Sequence, residues 1–235
     1  CIHNTLELLF EPYLKKNLLV QDIQTIEKKI TTVLTSQFKE YISKEDLMTG
    51  NNLLTFEVAK QYVKNFLDLE VKNILNAQNK SLDYYISSQE NKISFIVPIK
   101  FNNKSIDVKI EGIADRIGVL GNKTQLIDYK TGSVVSTDLS FKSWDELAEN
   151  PKKSKALQLA LYGYIYLMQN PEINDFVSGI YSFRNLQSGL LQLTCKRKQV
   201  TAEDIRYNFP QVIGLIVEKM ISESYSFKHN LEAKY

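Results

Sequence analysis

Residues 112–132 read GIADRIGVLGNKTQLIDYKTG, and the fold of the chain turns on how this stretch is understood. Two short apolar runs, Ile110 to Asp115 and Gln125 to Lys130, flank the turn-forming pair Gly121-Asn122, a pattern that predicts a β-hairpin. Side chains alternate faces along a strand, so Asp128 and Lys130 share one face while Ile127 and Tyr129 share the other. Folded back as a hairpin, the first strand brings Asp115 beside Asp128. Two carboxylates so close do not both ionise unless a cation neutralises them. Oxygen ligands at that density suit Mg²⁺ or Mn²⁺, whose coordination is completed by water and substrate phosphate. Lys130 would then stand where it can orient or deprotonate an attacking water. The alternative is a surface hairpin with two turn aspartates and a solvated lysine. Against it, both aspartates close hydrophobic runs, Ile113-Ala114 and Leu126-Ile127, where an unpaired charge is expensive.

The wider pattern is G-h-x-D-R-h, then twelve residues between Asp115 and Asp128, then D-Y-K-T-G. It resembles the PD-(D/E)xK nuclease superfamily, and within it the RecB/AddB-type nuclease domain. Arg116, Thr131 and Gly132 extend the match beyond the D-x-K tripeptide. The resemblance implies a restriction-endonuclease-like α/β fold and metal-dependent hydrolysis of DNA phosphodiesters. In that reading Asp115, Asp128, His3 and the Tyr129 carbonyl hold Mg²⁺ or Mn²⁺ and Lys130 assists the water. Relatives of this type place a metal-binding histidine in an H-x-x-h-E helix about a hundred residues before the first aspartate, and His3 in HNTLE matches it. Without the resemblance, His3 reads as an end-of-chain histidine that shares a helix face with Glu7. Glu90, just before the sheet, is the weaker rival for the upstream ligand. Gln158 and Tyr162 in QLALY fit a Q-x-x-x-Y pair on the helix beside the active strand. Arg116 joins them in the supporting shell or on the DNA backbone.

Composition bounds the remaining possibilities. The 235 residues are 43% hydrophobic and 24% charged, enough for one substantial core with a helical appendage, which excludes a disordered or fibrous chain. The net charge of +2 is too small to indicate nucleic-acid binding by itself, so a DNA surface must come from local clusters. The candidates are Lys152, Lys153 and Lys155 before an apolar helix, and Lys196-Arg197-Lys198 after a strand; a solvated basic loop is the equal alternative for the first group. Trp144, in the same connection, is a candidate base-stacking platform. The two cysteines, Cys1 and Cys195, lack the spacing of a zinc site or disulfide framework and fit a reducing cytoplasm. The four-cysteine iron–sulfur cluster of some AddB-type domains cannot form. No apolar run is long enough to span a membrane.

Along the chain, an apolar helix covers the first ten residues, and helical periodicity runs from Leu18 to about Ser88 through Ile23, Ile26, Ile30, Val33, Leu34 and Phe38, then Phe56, Val63, Phe66, Leu67, Val71 and Ile74. Residues 43–46 and 49–52 read as the loop between the two runs, and Asn79-Lys80-Ser81 breaks the second helix. Strand character is expected from Ile93 and again from Ile106. A helix over 156–168 follows, then a hairpin of Phe176–Phe183 with Leu190–Lys198. A capping box at Thr201 and Asp204 opens the last helix, which Pro210 is expected to kink or split.

These readings assemble into one nuclease domain over residues 1–235, with a helical region (1–88) carrying His3 and a catalytic α/β core (89–235): a mixed central sheet flanked by helices, with a helical insertion. The expected partner is DNA, single-stranded or at ends. No G-x-x-x-x-G-K-[ST] nucleotide loop is present. The RecB/AddB resemblance then implies a helicase partner, or a helicase-like region preceding this chain, and with it a role in recombination and repair. The alternatives are a stand-alone phage-type exonuclease, a structure-specific endonuclease of the same superfamily, or an inactivated nuclease fold serving as a DNA-binding scaffold.

Overall fold

The computed structural model describes residues 2–47, 49–101 and 104–222. Helix α1 (Ile2–Phe10) leads into α2 (Val20–Glu27), α3 (Ile30–Lys39), α4 (Lys44–Leu47) and the long α5 (Gly50–Asn79). Strands β1 (Tyr84–Phe101), β2 (Lys104–Leu120) and β3 (Lys123–Lys130) form an antiparallel meander. Then come β4 (Ser140–Phe141), α6 (Asp145–Glu149), α7 (Ser154–Gln169), β5 (Phe176–Ser182), β6 (Leu191–Gln192), β7 (Thr194–Cys195), β8 (Lys198–Gln199) and α8 (Ala202–Ile221). The central sheet has the order β1-β2-β3-β5-β6 and is mixed: β5 runs parallel to β3, reached by the crossover through α7. This is the mixed α/β architecture expected from the sequence.

Hydrophobic packing explains the layers. On one face of the sheet Ile86, Ile127, Tyr129, Tyr181 and Phe183 join α1, α2, α3 and α5 in a single core. On the other, Ala114, Ile117, Leu126, Phe176 and Ile180 pack beneath α7 and α8. Strands covered on both sides have few solvent positions, and every residue of β5 is buried. Phe66, at the middle of α5, meets Tyr129, Tyr181 and Phe183 with ring centroids 5.4–5.7 Å apart. These contacts lock the N-terminal helices onto the strand that carries Asp128.

Several local expectations are corrected. The second helical run ends at Asn79, at the expected Asn79-Lys80-Ser81 break, but β1 begins at Tyr84, ahead of both Ser88 and Ile93, because Tyr84 and Ile86 alternate inward with Tyr85 outside them. Most of the expected loop is helical: the Ser43 hydroxyl accepts from the Asp46 amide at 3.1 Å and starts α4, and residues 50–52 open α5. The hairpin after Pro171 is reduced to two residue pairs between β5 and β6. Its remainder turns away as β7 and β8, which form a small sheet with β4. The Thr201–Asp204 capping box is formed as expected. Helix α8 continues through Pro210 unbroken, since Ile205, Phe209, Val212, Ile213 and Val217 bury one continuous stripe that outweighs a lost backbone bond.

Candidate active site

The hairpin register puts Arg116 opposite Ile127, so the next position brings Asp115 level with Asp128. There the ladder gives way to a side-chain contact: the Tyr129 amide donates to Asp115 Oδ2 at 2.6 Å. One of the two carboxylates is thereby fixed by backbone. Asp128 is only 2% exposed, with Lys130 Nζ 3.0 Å from Oδ1 and 2.8 Å from Oδ2. The Oδ2 atom nevertheless has no hydrogen-bond donor of suitable geometry. Burial, the stronger influence, pushes the Asp128 carboxyl up to about 6 against the opposing pull of Lys130, and the negative charge of Asp115 adds to the rise.

His3 comes in from α1, whose buried positions Ile2, Thr5, Leu6, Leu9 and Phe10 hold the helix against the core and turn His3 toward the sheet. Its Nε2 donates to the Tyr129 carbonyl at 2.9 Å and lies 3.3 Å from Asp115 Oδ2. The hydrogen bond with Asp115 raises the His3 pKa more than burial lowers it. A residue at the start of the chain thus closes onto the strand junction 126 positions away.

Glu90, which sequence reasoning ranked low, reaches the same place. The pairs Gln89–Arg116 and Asn91–Ala114 leave it opposite Asp115, with a backbone φ of 44°, a left-handed conformation that non-glycine residues seldom adopt. Its carboxyl is raised by burial and then by the charge of Asp115. Glu7 also acts electrostatically on Glu90, so it borders this acidic group. Nothing in the local sequence marks Glu90, because its position comes from a register between strands and not from a motif.

On α7, Gln158 Nε2 donates to the Tyr162 hydroxyl at 3.0 Å, and both side chains line the cleft with His3, Glu90, Asp115, Asp128, Lys130 and Lys155. The cleft has a volume of about 420 Å³. Gly112 explains how Tyr162 comes so close: a Cβ there would sit 2.3 Å from the Tyr162 ring. The glycine that opens the GIADR run is therefore a packing requirement, which sequence reading missed.

Three expectations need correction or narrowing. Arg116 cannot lie on a DNA backbone, because it is fully buried on the opposite sheet face from Asp115, bonded to Glu70 at 3.0 Å and to the Tyr84 hydroxyl at 3.0 Å. Strand alternation already put it there, since neighbours on a strand face opposite ways. Trp144 is not a free stacking platform: its ring packs edge-on against Phe141 at 5.1 Å and Phe209 at 6.5 Å. Of the two basic clusters expected to grip DNA, Lys155 alone lines the cleft, 3.3 Å from Asp138. Lys153 is tied to the carbonyls of Thr137 and Ser140. Lys152, Lys196, Arg197 and Lys198 are exposed and stand outside the cleft.

The donors fit a hard cation. Two carboxylates, an imidazole and a carbonyl face one cleft, and the buried Asp128 Oδ2 there has the Lys130 ammonium at 2.8 Å but no well-aligned hydrogen bond. Among the described residues no three His, Cys, Asp or Glu side chains form a closed metal site unaided. As they stand, Asp128 is turned onto Lys130 and His3 onto the Tyr129 carbonyl.

A mixed sheet flanked by helices, with paired aspartates and a lysine at a strand end, defines a restriction-endonuclease-like fold. The chain belongs to the PD-(D/E)XK nuclease superfamily, whose family model matches residues 1–232. No curated protein and no solved structure is similar enough to the chain to count as a match. Members of this superfamily are nucleases that generally use divalent metals and act on DNA. Among the described residues no helix is long and apolar enough to cross a membrane.

Proposed function

We propose that this chain is a Mg²⁺- or Mn²⁺-dependent deoxyribonuclease of the RecB/AddB type, the nuclease part of a helicase–nuclease that processes DNA in recombination and repair. The observation that carries this reading is His3: a histidine in an H-x-x-h-E helix whose Nε2 meets both Asp115 and the Tyr129 carbonyl. A histidine without a role has no reason to converge on paired aspartates.

Asp115, Asp128, the Tyr129 carbonyl and His3 would hold the ion, with Glu90 available as a further oxygen donor. A divalent ion bound there supplies positive charge against the scissile phosphate and its leaving oxygen. Lys130, released from Asp128, would donate a hydrogen bond to the attacking water and so orient it. Gln158 and Tyr162, already bonded to each other, present an amide and a hydroxyl to the phosphate oxygens. Lys155 adds positive charge at the same edge. The inactivated-scaffold reading is disfavoured because Asp115, Asp128 and Lys130 are all retained and held in contact with each other or with the adjacent backbone.

The test is digestion of end-labelled single-stranded and linear duplex DNA with Mg²⁺, with Mn²⁺ and in EDTA. Cleavage should require the metal and should vanish in Asp128→Ala and Lys130→Ala. Full activity in EDTA refutes the reading. Titration of Mn²⁺ into His3→Ala and Glu90→Ala by calorimetry then assigns the upstream ligand. If only Glu90→Ala weakens binding, the RecB/AddB assignment falls while the superfamily membership stands.

A further inference from the structure

The cleft does not end at the exposed ridge of Thr131 and Gly132. Beyond it lies a second hollow of about 500 Å³ that shares His3, Thr131 and Gly132 with the cleft and is walled by Phe38, Tyr62 and Arg184. Open space lies above this ridge, since a side chain at Gly132 would meet nothing within 4 Å. Tyr62 is half-buried and lies nearly parallel to Phe183, with centroids 6.1 Å apart and planes 27° off, so its ring is held flat from behind. Arg184 is exposed, and among the described residues its guanidinium makes no hydrogen bond or ion pair. It also borders a third hollow of about 550 Å³ between α5 and the turn after β5, which contains Lys72 and Asn185.

A polymer cut in the cleft must continue past it, and this is a route continuous with the cleft that pairs an aromatic shelf with an unneutralised cation. Hollows of these sizes lie within the roughly 300–1,000 Å³ typical of ligand pockets. A flat ring and a nearby arginine are what a base and its phosphate need, and the base must be unpaired to lie on the ring. The geometry points to a single-strand track: the DNA on one side of the scissile phosphate crosses the Thr131–Gly132 ridge, stacks an unpaired base on Tyr62 and gives the following phosphate to Arg184. This deepens the nuclease reading and rests on it.

The experiment measures binding and cleavage separately. A fluorescein-labelled oligothymidylate carrying one 5-iodouracil is bound to the whole chain with Ca²⁺ in place of Mg²⁺, over a range of salt concentrations, and then photo-crosslinked. Tyr62→Leu should weaken binding by about tenfold, the loss of roughly one stacked base. Arg184→Ala should lower the slope of log affinity against log salt by about 0.7, the loss of one single-strand phosphate contact. The crosslink should map to Tyr62, and turnover of thymidine 5′-p-nitrophenyl phosphate, which reaches no further than the cleft, should be unchanged in both variants. If Tyr62→Leu melts early, Arg184→Ala, altered only at an exposed side chain, decides alone. An unchanged salt slope in Arg184→Ala with crosslinks elsewhere, in a protein that still cuts DNA, overturns the track and leaves the nuclease reading intact. The expected slope change and crosslink in a protein that cuts nothing with Mg²⁺ or Mn²⁺ upholds the track and overturns the nuclease reading.

Discussion

Replacing Asp128 by asparagine should make the metal-free protein more stable while abolishing cleavage. Asp128 is almost completely buried, and its carboxyl is raised from the usual 3.8 to about 6, chiefly by burial. An acid raised in the folded state contributes stability that is fully present below its unfolded value, near 4. That contribution is lost as pH rises through about 6. At pH 8 the difference corresponds to about 3 kcal/mol against the native state. Asparagine keeps the shape and removes the charge, and the partly exposed Lys130 remains solvated. For a chain of this length about 1 kcal/mol moves the melting temperature by about 2–4 °C, so a gain of several degrees is expected at pH 8 in EDTA, shrinking toward nothing near pH 4. The assay is thermal unfolding of both proteins across that pH range, repeated with Mn²⁺. With the ion present the order should reverse, because only the wild type gains binding energy. An Asp128→Asn protein no more stable than wild type at pH 8 in EDTA would refute the argument that this carboxylate is held at a cost.

Mn²⁺ affinity should fall as pH drops through about 6, since Asp128 takes up a proton there and the raised pKa of His3 protonates the imidazole in the same direction; calorimetry at pH 5, 6.5 and 8 checks it. Arg116→Ala should lower stability by about 3–5 kcal/mol, seen as a drop of roughly 10 °C in melting temperature, because it leaves the Glu70 carboxylate buried and unpaired. Gly112→Ala should displace the Tyr162 ring and reduce turnover, with far-UV circular dichroism unchanged; wild-type turnover would mean that the Gln158–Tyr162 pair has no part in the chemistry.

What could be read from the sequence was whatever local order controls. The Gly121-Asn122 turn fixed the β2–β3 register, and that register alone sets Asp115 level with Asp128. Helix α7 carries Gln158 and Tyr162 at i and i+4, so their contact follows from helical spacing. Glu90 depends on a pairing made by long strands and on a φ of 44°, neither of which leaves a mark in composition. The hairpin after Pro171 was misjudged because Phe176–Ser182 looks alike as an outer hairpin strand or as a central strand covered on both faces, and burial by α7, α8 and the N-terminal helices decided between them. Arg116 shows the opposite failure. Alternation from Asp115 already placed it on the far face, yet its position in a nuclease-like run suggested DNA.

That far face ties the site to the rest of the molecule. Arg116 follows Asp115 directly in β2, and Tyr129 follows Asp128 in β3, so each catalytic candidate is chained to a residue locked in the opposite core. Burial disfavours the arginine charge, but the carboxylate of Glu70 and the ring hydroxyls around it hold its pKa above the ordinary value, so it stays charged. Tyr129 is pressed against Phe66 and Phe183 and lies 3.5 Å from Arg116 through its hydroxyl. The carboxylates therefore stand on strands that cannot shift without breaking a buried ion pair and an aromatic cluster. Rigid support of this kind holds two like charges near each other with only Lys130 to offset them, which mobile loops would relieve by moving apart. The N-terminal helices accordingly do more than deliver His3: through Glu70 and Phe66 of α5, they keep the two aspartates in a geometry their own repulsion opposes.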